Sequence, residues 1–129
     1  ASVSDYNQTL KSVIEAESYI GPSVIIAYSP CMNHGIKSGM STVLDVEKRA
    51  VAAGYWSLFR YDPRLKEQGK NPFMLDSKAP SASYRDFLMS EVRYNALTRS
   101  FPDRAELLFT EAEEFAMDKY QQLVKLAQG

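Results

Sequence analysis

The sequence predicts an α/β chain in which a partial, mostly parallel sheet carries flanking helices and a long helix ends the chain. Three observations predict this class: a short β-branched segment at residues 23–28, an aromatic segment at residues 55–61 and a helical apolar repeat that begins at Pro102. The first segment directly follows a helical pattern. A helix beside an apolar strand is half of the βαβ unit from which parallel sheets are built.

The first helix is predicted to lie between a cap at Ser4 or Asp5 and a stop at Gly21-Pro22. Its apolar positions recur at helical spacing, at Leu10, Val13 and Ile14. Residues 23–28 then form the predicted strand. This segment is apolar on both faces, which suits the centre of a parallel sheet that helices cover on both sides.

A second helix and a second strand are predicted over residues 42–61. Thr42 and Asp45 have the spacing of a capping box, and Gly54 is placed to end the helix. The helix would use four apolar positions, Leu44, Val46, Ala50 and Val51. Residues 55–61 alternate imperfectly between aromatic and other side chains, which predicts an edge strand or a partly covered one.

Residues 62–82 are rich in residues that interrupt regular structure, and they predict a long ordered loop with one short strand at residues 73–75. Long loops are uncommon in compact domains, so this loop is expected to have a partner surface or a function. We therefore divide a single domain into an α/β part at residues 1–61, this loop, and carboxyl-terminal helices at residues 83–129.

The carboxyl-terminal part is predicted to contain two helices. Ser83 and Asp86 have capping-box spacing and open a helix that continues to Phe101-Pro102, with its apolar face at Tyr84, Phe87, Leu88 and Leu97. Pro102 suits the first turn of the last helix. The last helix has an apolar stripe, which we interpret as packing surface, at Ala105, Leu108, Phe109, Ala112, Ala116, Tyr120, Leu123, Val124 and Ala127. Its acidic residues predict a solvated face, at Glu111, Glu113, Glu114 and Asp118.

Composition excludes several classes of protein. The chain has 129 residues, which is small for an autonomous oxidoreductase, and 15 Lys and Arg against 16 Asp and Glu, which argues against nucleic acid as a partner. The longest apolar stretch, residues 24–27, is far shorter than the roughly 20 residues that span a bilayer. No signal-peptide pattern opens the sequence, so we expect no membrane partner. A single cysteine excludes an internal disulfide, so we expect a cytoplasmic location. The first residue is not Met, which predicts a piece of a longer polypeptide.

Cys31 is the only cysteine, and it directly follows the apolar segment at residues 23–28. In open α/β sheets, ligands bind beyond the carboxyl ends of the strands, so a thiolate at this position can face a cofactor. One thiolate cannot hold a metal centre alone, and a free cysteine is often a small buried hydrophobic residue. A buried residue and a metal ligand are therefore both open on this evidence.

Other polar residues have two interpretations each. His34, the only histidine, is either a proton shuttle near a cofactor or a loop residue bonded to the backbone. Four charged residues flank the aromatic segment, and they would either recognise an anion or another domain or form a surface ion-pair network: Arg60, Asp62, Arg64 and Lys70. The sequence lacks the usual phosphate-loop, paired-cysteine and hydrolase motifs.

Four blocks of sequence resemble one enzyme family in the same order. The blocks are GPSVIIAYSPC at residues 21–31, AGYWSLFRYDPRL at residues 53–65, GKNPF at residues 69–73 and LDSK at residues 75–78. Together they resemble pyruvate:ferredoxin (flavodoxin) oxidoreductase, in the carboxyl-terminal part of its thiamine-diphosphate-binding domain.

The resemblance implies a fragment of a large enzyme that converts pyruvate and coenzyme A to acetyl-CoA and CO₂. That family uses thiamine diphosphate with Mg²⁺ and passes electrons through 4Fe-4S clusters to ferredoxin or flavodoxin, and its members are usually homodimers. Cys31 matches the last of four thiolates that hold the cluster nearest the thiamine, and Asn33 and Gly35 could donate N–H groups toward the cluster. No Gly-Asp-Gly diphosphate segment is present. The isolated fragment is expected to bind no cofactor, to be inactive, and to have the rest of the parent polypeptide as its partner.

Two alternatives remain open on the sequence. The chain could be a non-catalytic interaction module whose aromatic segment and last helix dock onto another protein, with Cys31 merely buried. It could also be the same part of an oxidoreductase for another 2-oxoacid, because residues from other domains would contribute to substrate choice.

Overall fold

The computed structural model describes residues 1–29 and 43–129. Within these ranges the chain forms six helices and two short strands. In chain order they are α1 (Tyr6–Ser18), α2 (Val43–Ala52), β1 (Phe59–Tyr61), α3 (Arg64–Glu67), β2 (Phe73–Leu75), α4 (Tyr84–Ser90), α5 (Val92–Ser100) and α6 (Pro102–Gln128). No helix in these ranges combines the length and the apolar character needed to cross a membrane.

The fold is mostly helical, with one two-stranded antiparallel sheet and a long last helix. β1 pairs with β2 so that Phe59 lies opposite Leu75 and Tyr61 lies opposite Phe73. The predicted long carboxyl-terminal helix and the short strand at residues 73–75 are confirmed. The predicted mostly parallel sheet is wrong for the described residues, because the sheet found there has two antiparallel strands. The loop that includes α3 connects these two strands.

The strand predicted at residues 23–28 is also wrong as a sheet element. Only Tyr28 forms a bridge, a single parallel pairing with Ser2. Val24 is 85% exposed and Ile26 is 68% exposed, so the apolar faces that suggested a central strand have no covering layer in the described structure. A strand is stable only where a second strand accepts its hydrogen bonds, and a single bridge does not supply that ladder.

Side-chain caps begin two helices where the sequence predicted them. The Asp5 carboxylate accepts a 3.0 Å hydrogen bond from the Gln8 N–H, and the Ser83 hydroxyl accepts a 3.2 Å bond from the Asp86 N–H. Thr42, the third predicted cap, lies outside the described residues. Gly54 follows α2 with φ +83°, a backbone conformation that side chains with a Cβ disfavour, and the chain turns there.

The helix predicted to run from Ser83 to Phe101 is divided in two at Glu91. Glu91 has φ −90° and ψ 130°, which is extended backbone, although neither Gly nor Pro marks the position. Side chains on both sides of the break bond to carbonyls of the interrupted turn. Ser90 Oγ donates to the Phe87 carbonyl at 2.6 Å, and Asn95 Nδ2 donates to the Met89 carbonyl at 3.0 Å. These bonds replace part of the lost helical pairing.

The core lies where α2, α4 and α6 meet. It consists of Val46, Ala50, Ala53, Phe87, Leu88, Ala105 and Phe109. Burial of a side chain such as Phe87 or Leu88 stabilises the fold by about 1.5–3 kcal/mol. The predicted stripe on α6 is buried or half-buried with one exception, Leu108, which is exposed.

The far end of α6 is fastened to the loop at residues 62–82. The Asn71 side chain donates from Nδ2 to the Leu126 carbonyl at 2.9 Å and to the Ala127 carbonyl at 3.0 Å, and its Oδ1 accepts from the Phe73 N–H at 3.0 Å. The last carbonyls of a helix have no partner within the helix. Asn71 therefore caps α6 from a distant part of the chain.

Candidate functional site: the flanks of the cysteine segment

The sequence points to the segment around Cys31, which lies outside the described residues together with Asn33, His34 and Gly35. The structure describes the two flanks of this segment. Tyr28 and Ser29 lead into it, and α2 follows it. The site is therefore built from the residues that fix these flanks.

Tyr28 is held by both its backbone and its ring. Its N–H donates to the Ala1 carbonyl at 2.9 Å, and its own carbonyl accepts from the Val3 N–H at 3.1 Å. The ring stacks on Trp56 with 5.4 Å between centroids. The Trp56 indole in turn donates from Nε1 to the Ala1 carbonyl at 2.9 Å. The chain thus enters the cysteine segment from a fixed position.

An aromatic cluster surrounds this entry, with Tyr55 at its centre. The Tyr55 ring lies 4.9 Å from that of Phe87, 6.4 Å from that of Tyr28 and 6.3 Å from that of Tyr94, measured between centroids. The hydroxyls of Tyr55 and Tyr94 are hydrogen-bonded at 3.0 Å. Edge and offset contacts of this kind add to the stabilisation from burial.

The phenols of Tyr28 and Tyr55 stay protonated near neutral pH. Burial, together with the nearby charges of Glu91 and Glu47, raises the pKa of Tyr28 to about 12. Burial, followed by the hydrogen bond to Tyr94, raises the pKa of Tyr55 further still. These hydroxyls can donate hydrogen bonds, but they cannot act as bases under ordinary conditions.

Glu47 on α2 is the one carboxylate buried among the described residues near this segment, with 2% of the residue exposed. Its burial raises its pKa, while the neighbouring Ser2 hydroxyl and Ser4 N–H lower it. Neither neighbour meets the geometry of a hydrogen bond, so both carboxylate oxygens are buried without a partner among the described residues. A buried ionised carboxylate without hydrogen bonds costs free energy. No pattern in the sequence singled out Glu47, although it adjoins Val46 and lies one turn before Ala50 on the inward face of α2.

A second polar group lies at the sheet. Arg60 on β1 donates to Asp76 twice, from Nε at 2.7 Å and from Nη2 at 3.0 Å, and it also pairs with Glu15 of α1. Gln8 adds a 3.1 Å bond from Nε2 to the same Asp76 carboxylate. Burial works to raise the pKa of Asp76, but the bonds from Arg60 and Gln8 outweigh it and hold the pKa below its usual value.

Three of the four charged residues that flank the aromatic segment, Arg60, Asp62 and Arg64, form ion pairs, as one of the two interpretations predicted. Arg64 donates from Nη2 to Asp62 at 2.9 Å and to the Ser18 hydroxyl at 3.0 Å. The bond from Arg64 lowers the pKa of Asp62. Lys70 is exposed and takes part in none of the ion pairs found within the described ranges.

A cavity of about 350 Å³ lies beside these ion pairs, with walls from α1, residues 23–26 and residues 56–64. Arg60 and Arg64 both line it, and both already bind carboxylates. Its other walls are largely aliphatic and aromatic. The described lining is therefore suited to apolar polypeptide rather than to a phosphate, which would need cations that are not already neutralised.

The described ranges hold no group of three His, Cys, Asp or Glu side chains that could bind a metal ion. The chain has one cysteine, whereas an iron–sulfur cluster is held by four thiolates as a rule. The residues of this chain alone therefore do not fit a cluster site.

No family model matches the chain. Several curated proteins match almost all of it, among them the three relatives that follow. It is 54% identical over 124 residues to the pyruvate:ferredoxin oxidoreductase of Moorella thermoacetica, and 50% identical over 123 residues to the pyruvate-flavodoxin oxidoreductase of Klebsiella pneumoniae. These alignments cover 96% and 95% of this chain and 10% of each relative. It is 39% identical over 131 residues to the mitochondrial pyruvate dehydrogenase [NADP(+)] of Euglena gracilis, covering 100% of this chain and 7% of the relative.

The alignment with the Moorella protein covers 96% of this chain, so it takes in nearly all of the described elements as well as most of the residues between Ser29 and Val43. The chain spans about a tenth of the length of the bacterial relatives. It is therefore homologous to a segment of about one tenth of the pyruvate:ferredoxin and pyruvate-flavodoxin oxidoreductases.

Proposed function

We propose that the chain is a segment of a pyruvate:ferredoxin or pyruvate-flavodoxin oxidoreductase, from the carboxyl-terminal part of its thiamine-diphosphate-binding domain. The parent oxidises and decarboxylates pyruvate to acetyl-CoA and CO₂, and the 129-residue segment is inactive alone. The observation that carries the proposal is 54% identity over 96% of the chain to a protein about ten times longer.

The names of the relatives support a role in the part of the reaction that they share. The three enzymes are named for ferredoxin, flavodoxin and NADP⁺, yet each contains a counterpart of nearly the whole segment. All three are named for pyruvate. We therefore assign the segment to the common pyruvate-oxidising body of the parent rather than to the surface that selects the electron acceptor.

Within the segment we assign Cys31 as one ligand of a 4Fe-4S cluster. The other three thiolates come from elsewhere in the parent, because this chain has no second cysteine. The fixed entry through Tyr28, which Trp56 and the backbone of Ala1 and Val3 hold, supports this role. A ligand needs a rigid approach if its sulfur is to keep one position.

The remaining properties belong to the parent. Thiamine diphosphate and Mg²⁺, bound by other parts of the parent, supply the decarboxylation chemistry. Pyruvate, coenzyme A, and ferredoxin or flavodoxin are its partners, and the parent is a cytoplasmic homodimer. The single-domain division at residues 1–61, 62–82 and 83–129 describes the segment within it.

The test is Cys31→Ser in the intact parent, with Met32→Leu as the matched control on the neighbouring residue. Cys31→Ser is expected to lose the iron of one cluster, with its reduced-cluster spectrum, while the circular dichroism of the protein is unchanged. Met32→Leu is expected to keep all of the iron. Full iron content, an unchanged spectrum and normal electron transfer in Cys31→Ser would contradict the assignment.

The second candidate function, a free-standing interaction module, has one observation in its favour. Large apolar side chains are exposed on several elements, including Ile20, Val24, Phe115 and Met117. In the parent these would face the rest of the polypeptide, whereas in a module they would face another protein. The coding sequence before Ala1 separates the two: an in-frame Gly-Asp-Gly thiamine segment with paired-cysteine ligands supports the oxidoreductase, and a start codon directly before Ala1 supports the module.

A further inference from the structure

The amino-terminal residues and the segment that leads to Cys31 form the beginning of a parallel ladder. The Tyr28 N–H donates to the Ala1 carbonyl, and the Val3 N–H donates to the Tyr28 carbonyl, so Ser2 lies opposite Tyr28. One step earlier, the Ala1 nitrogen donates to the Ile26 carbonyl at 2.8 Å. These three bonds alternate between the two segments in the pattern of parallel strands.

The register of this ladder can be extended toward the amino-terminal end of both segments. Each step moves two residues along both segments, so Ile26 lies opposite the residue directly before Ala1. The N–H of Ile26 is then aimed at the carbonyl of the second residue before Ala1. The carbonyl of Val24 is aimed at the N–H of that same residue.

Residues 24 and 26 have the unpaired backbone groups and exposed side chains that pairing with such a strand requires. No residue in the described ranges accepts a hydrogen bond from the N–H of Val24 or of Ile26. Both side chains are β-branched, apolar and more than half exposed. A β-branched segment with unpaired backbone groups is the kind that adds to another strand.

We infer that the residues directly before Ala1 in the parent form a β-strand that runs parallel to residues 23–28 and continues this ladder. The inference rests on the proposed function, which supplies polypeptide on the amino-terminal side of Ala1. It names the occupant of the exposed edge as an extended segment of at least four residues from the same polypeptide. It also places the segment that carries Cys31 at the end of a paired strand rather than at the end of a free one.

The test is hydrogen–deuterium exchange at single-residue resolution on the intact parent. The N–H groups of Val24 and Ile26 are expected to exchange at least about 100-fold more slowly than in an unstructured peptide. Proline at the second residue before Ala1 removes the N–H that bonds to the Val24 carbonyl, so exchange at both positions is expected to rise at least about tenfold. Proline at the residue directly before Ala1 is the matched control, because the N–H of that residue points away from residues 23–28.

The outcomes separate the two proposals. Unprotected Val24 and Ile26 in the wild-type parent, or a larger effect from the control proline, would overturn the strand and leave the oxidoreductase assignment standing. A coding sequence with no oxidoreductase polypeptide before Ala1 overturns both. If neither proline variant folds, the wild-type exchange rates decide the question alone.

Discussion

The guanidinium of Arg60 holds the carboxylate of Asp76 through two parallel hydrogen bonds, of 2.7 Å and 3.0 Å. The two side chains are only 15% and 18% exposed. Through Gln8 and Glu15, the same group joins the sheet to α1. These bonds and ion pairs connect the first helix to the strands.

Asp76→Asn is expected to lower the free energy of unfolding by about 2–3 kcal/mol, because it leaves a mostly buried guanidinium without its main partner. Urea denaturation measures the change. The matched control is Glu106→Gln, which removes an ion pair to Arg85 in which the Glu106 side chain is 69% exposed. The control is expected to cost no more than about 0.5 kcal/mol. Equal effects of the two substitutions would contradict the importance of the Arg60 pair.

Asp76 also predicts how stability changes in acid. Its pKa is lowered in the folded chain, so the unfolded chain takes up the proton first as the pH falls. The stabilisation from Asp76 is therefore complete above about pH 4 and is lost as the pH falls through the lowered pKa. Denaturation curves at a series of pH values should show a shallower acid limb for Asp76→Asn than for the wild type. Parallel acid limbs would be evidence that the pair is not formed in solution.

Glu47→Gln is expected to raise the free energy of unfolding by about 1 kcal/mol at neutral pH, because it removes a buried charge that has no hydrogen-bond partner among the residues that the structure describes. The pKa of Glu47 is raised, so the cost of its charge appears as the pH rises above the usual glutamate range and is absent in acid. The gain should therefore disappear below about pH 4. Glu111→Gln, on the exposed face of α6, is the control, and a loss of stability in Glu47→Gln at neutral pH would refute the prediction.

The tyrosine cluster predicts a loss of stability in alkali. Burial raises the pKa of Tyr28 to about 12, so its phenol ionises in the unfolded chain at a lower pH than in the folded one. Stability is therefore lost as the pH rises from about 10 to the folded value. Tyr28→Phe should make this alkaline limb shallower, and ultraviolet absorbance of phenolate follows the ionisation directly. Tyr6→Phe, on the exposed side of α1, is the comparison, and it should not change the limb.

Asn71→Ala is expected to lower the free energy of unfolding by about 1–2 kcal/mol, because three hydrogen bonds of its side chain are lost. Asn71→Asp separates their contributions, since it keeps the oxygen that accepts from Phe73 but has no N–H for the carbonyls of Leu126 and Ala127. Thermal unfolding should therefore rank wild type above both variants. Asn7→Ala, at an exposed position of α1, should unfold like the wild type.

Local signals predicted much of this fold from the sequence. Asp5 and Ser83 begin helices because their side chains bond to N–H groups within the next turn, and this depends only on neighbouring residues. Pro102 and the apolar repeat that follows it predicted α6 for the same reason. The strand at residues 73–75 followed from its position between interrupting residues.

The parts that could not be predicted depend on distant partners. Residues 23–28 have the composition of a buried strand, but a strand needs a second one, and the described chain offers only Ser2. The break at Glu91 has no Gly or Pro to mark it. At the candidate site, the ion pairs of Arg60 and Arg64 were one of two predicted outcomes, whereas the buried Glu47 was missed because burial of a helix face cannot be read from α2 alone.

The stacking of Trp56 on Tyr28 gives the chain a built-in optical reporter. Trp56 is the only tryptophan, so the indole fluorescence of the chain comes from one site. Its ring partner, Tyr28, lies three residues before Cys31 in the chain. Release of Tyr28 would remove the ring that stacks on this indole and so expose more of the indole to water. A shift of the emission to longer wavelength would therefore signal detachment of the cysteine segment, even while the helices and the core remain folded.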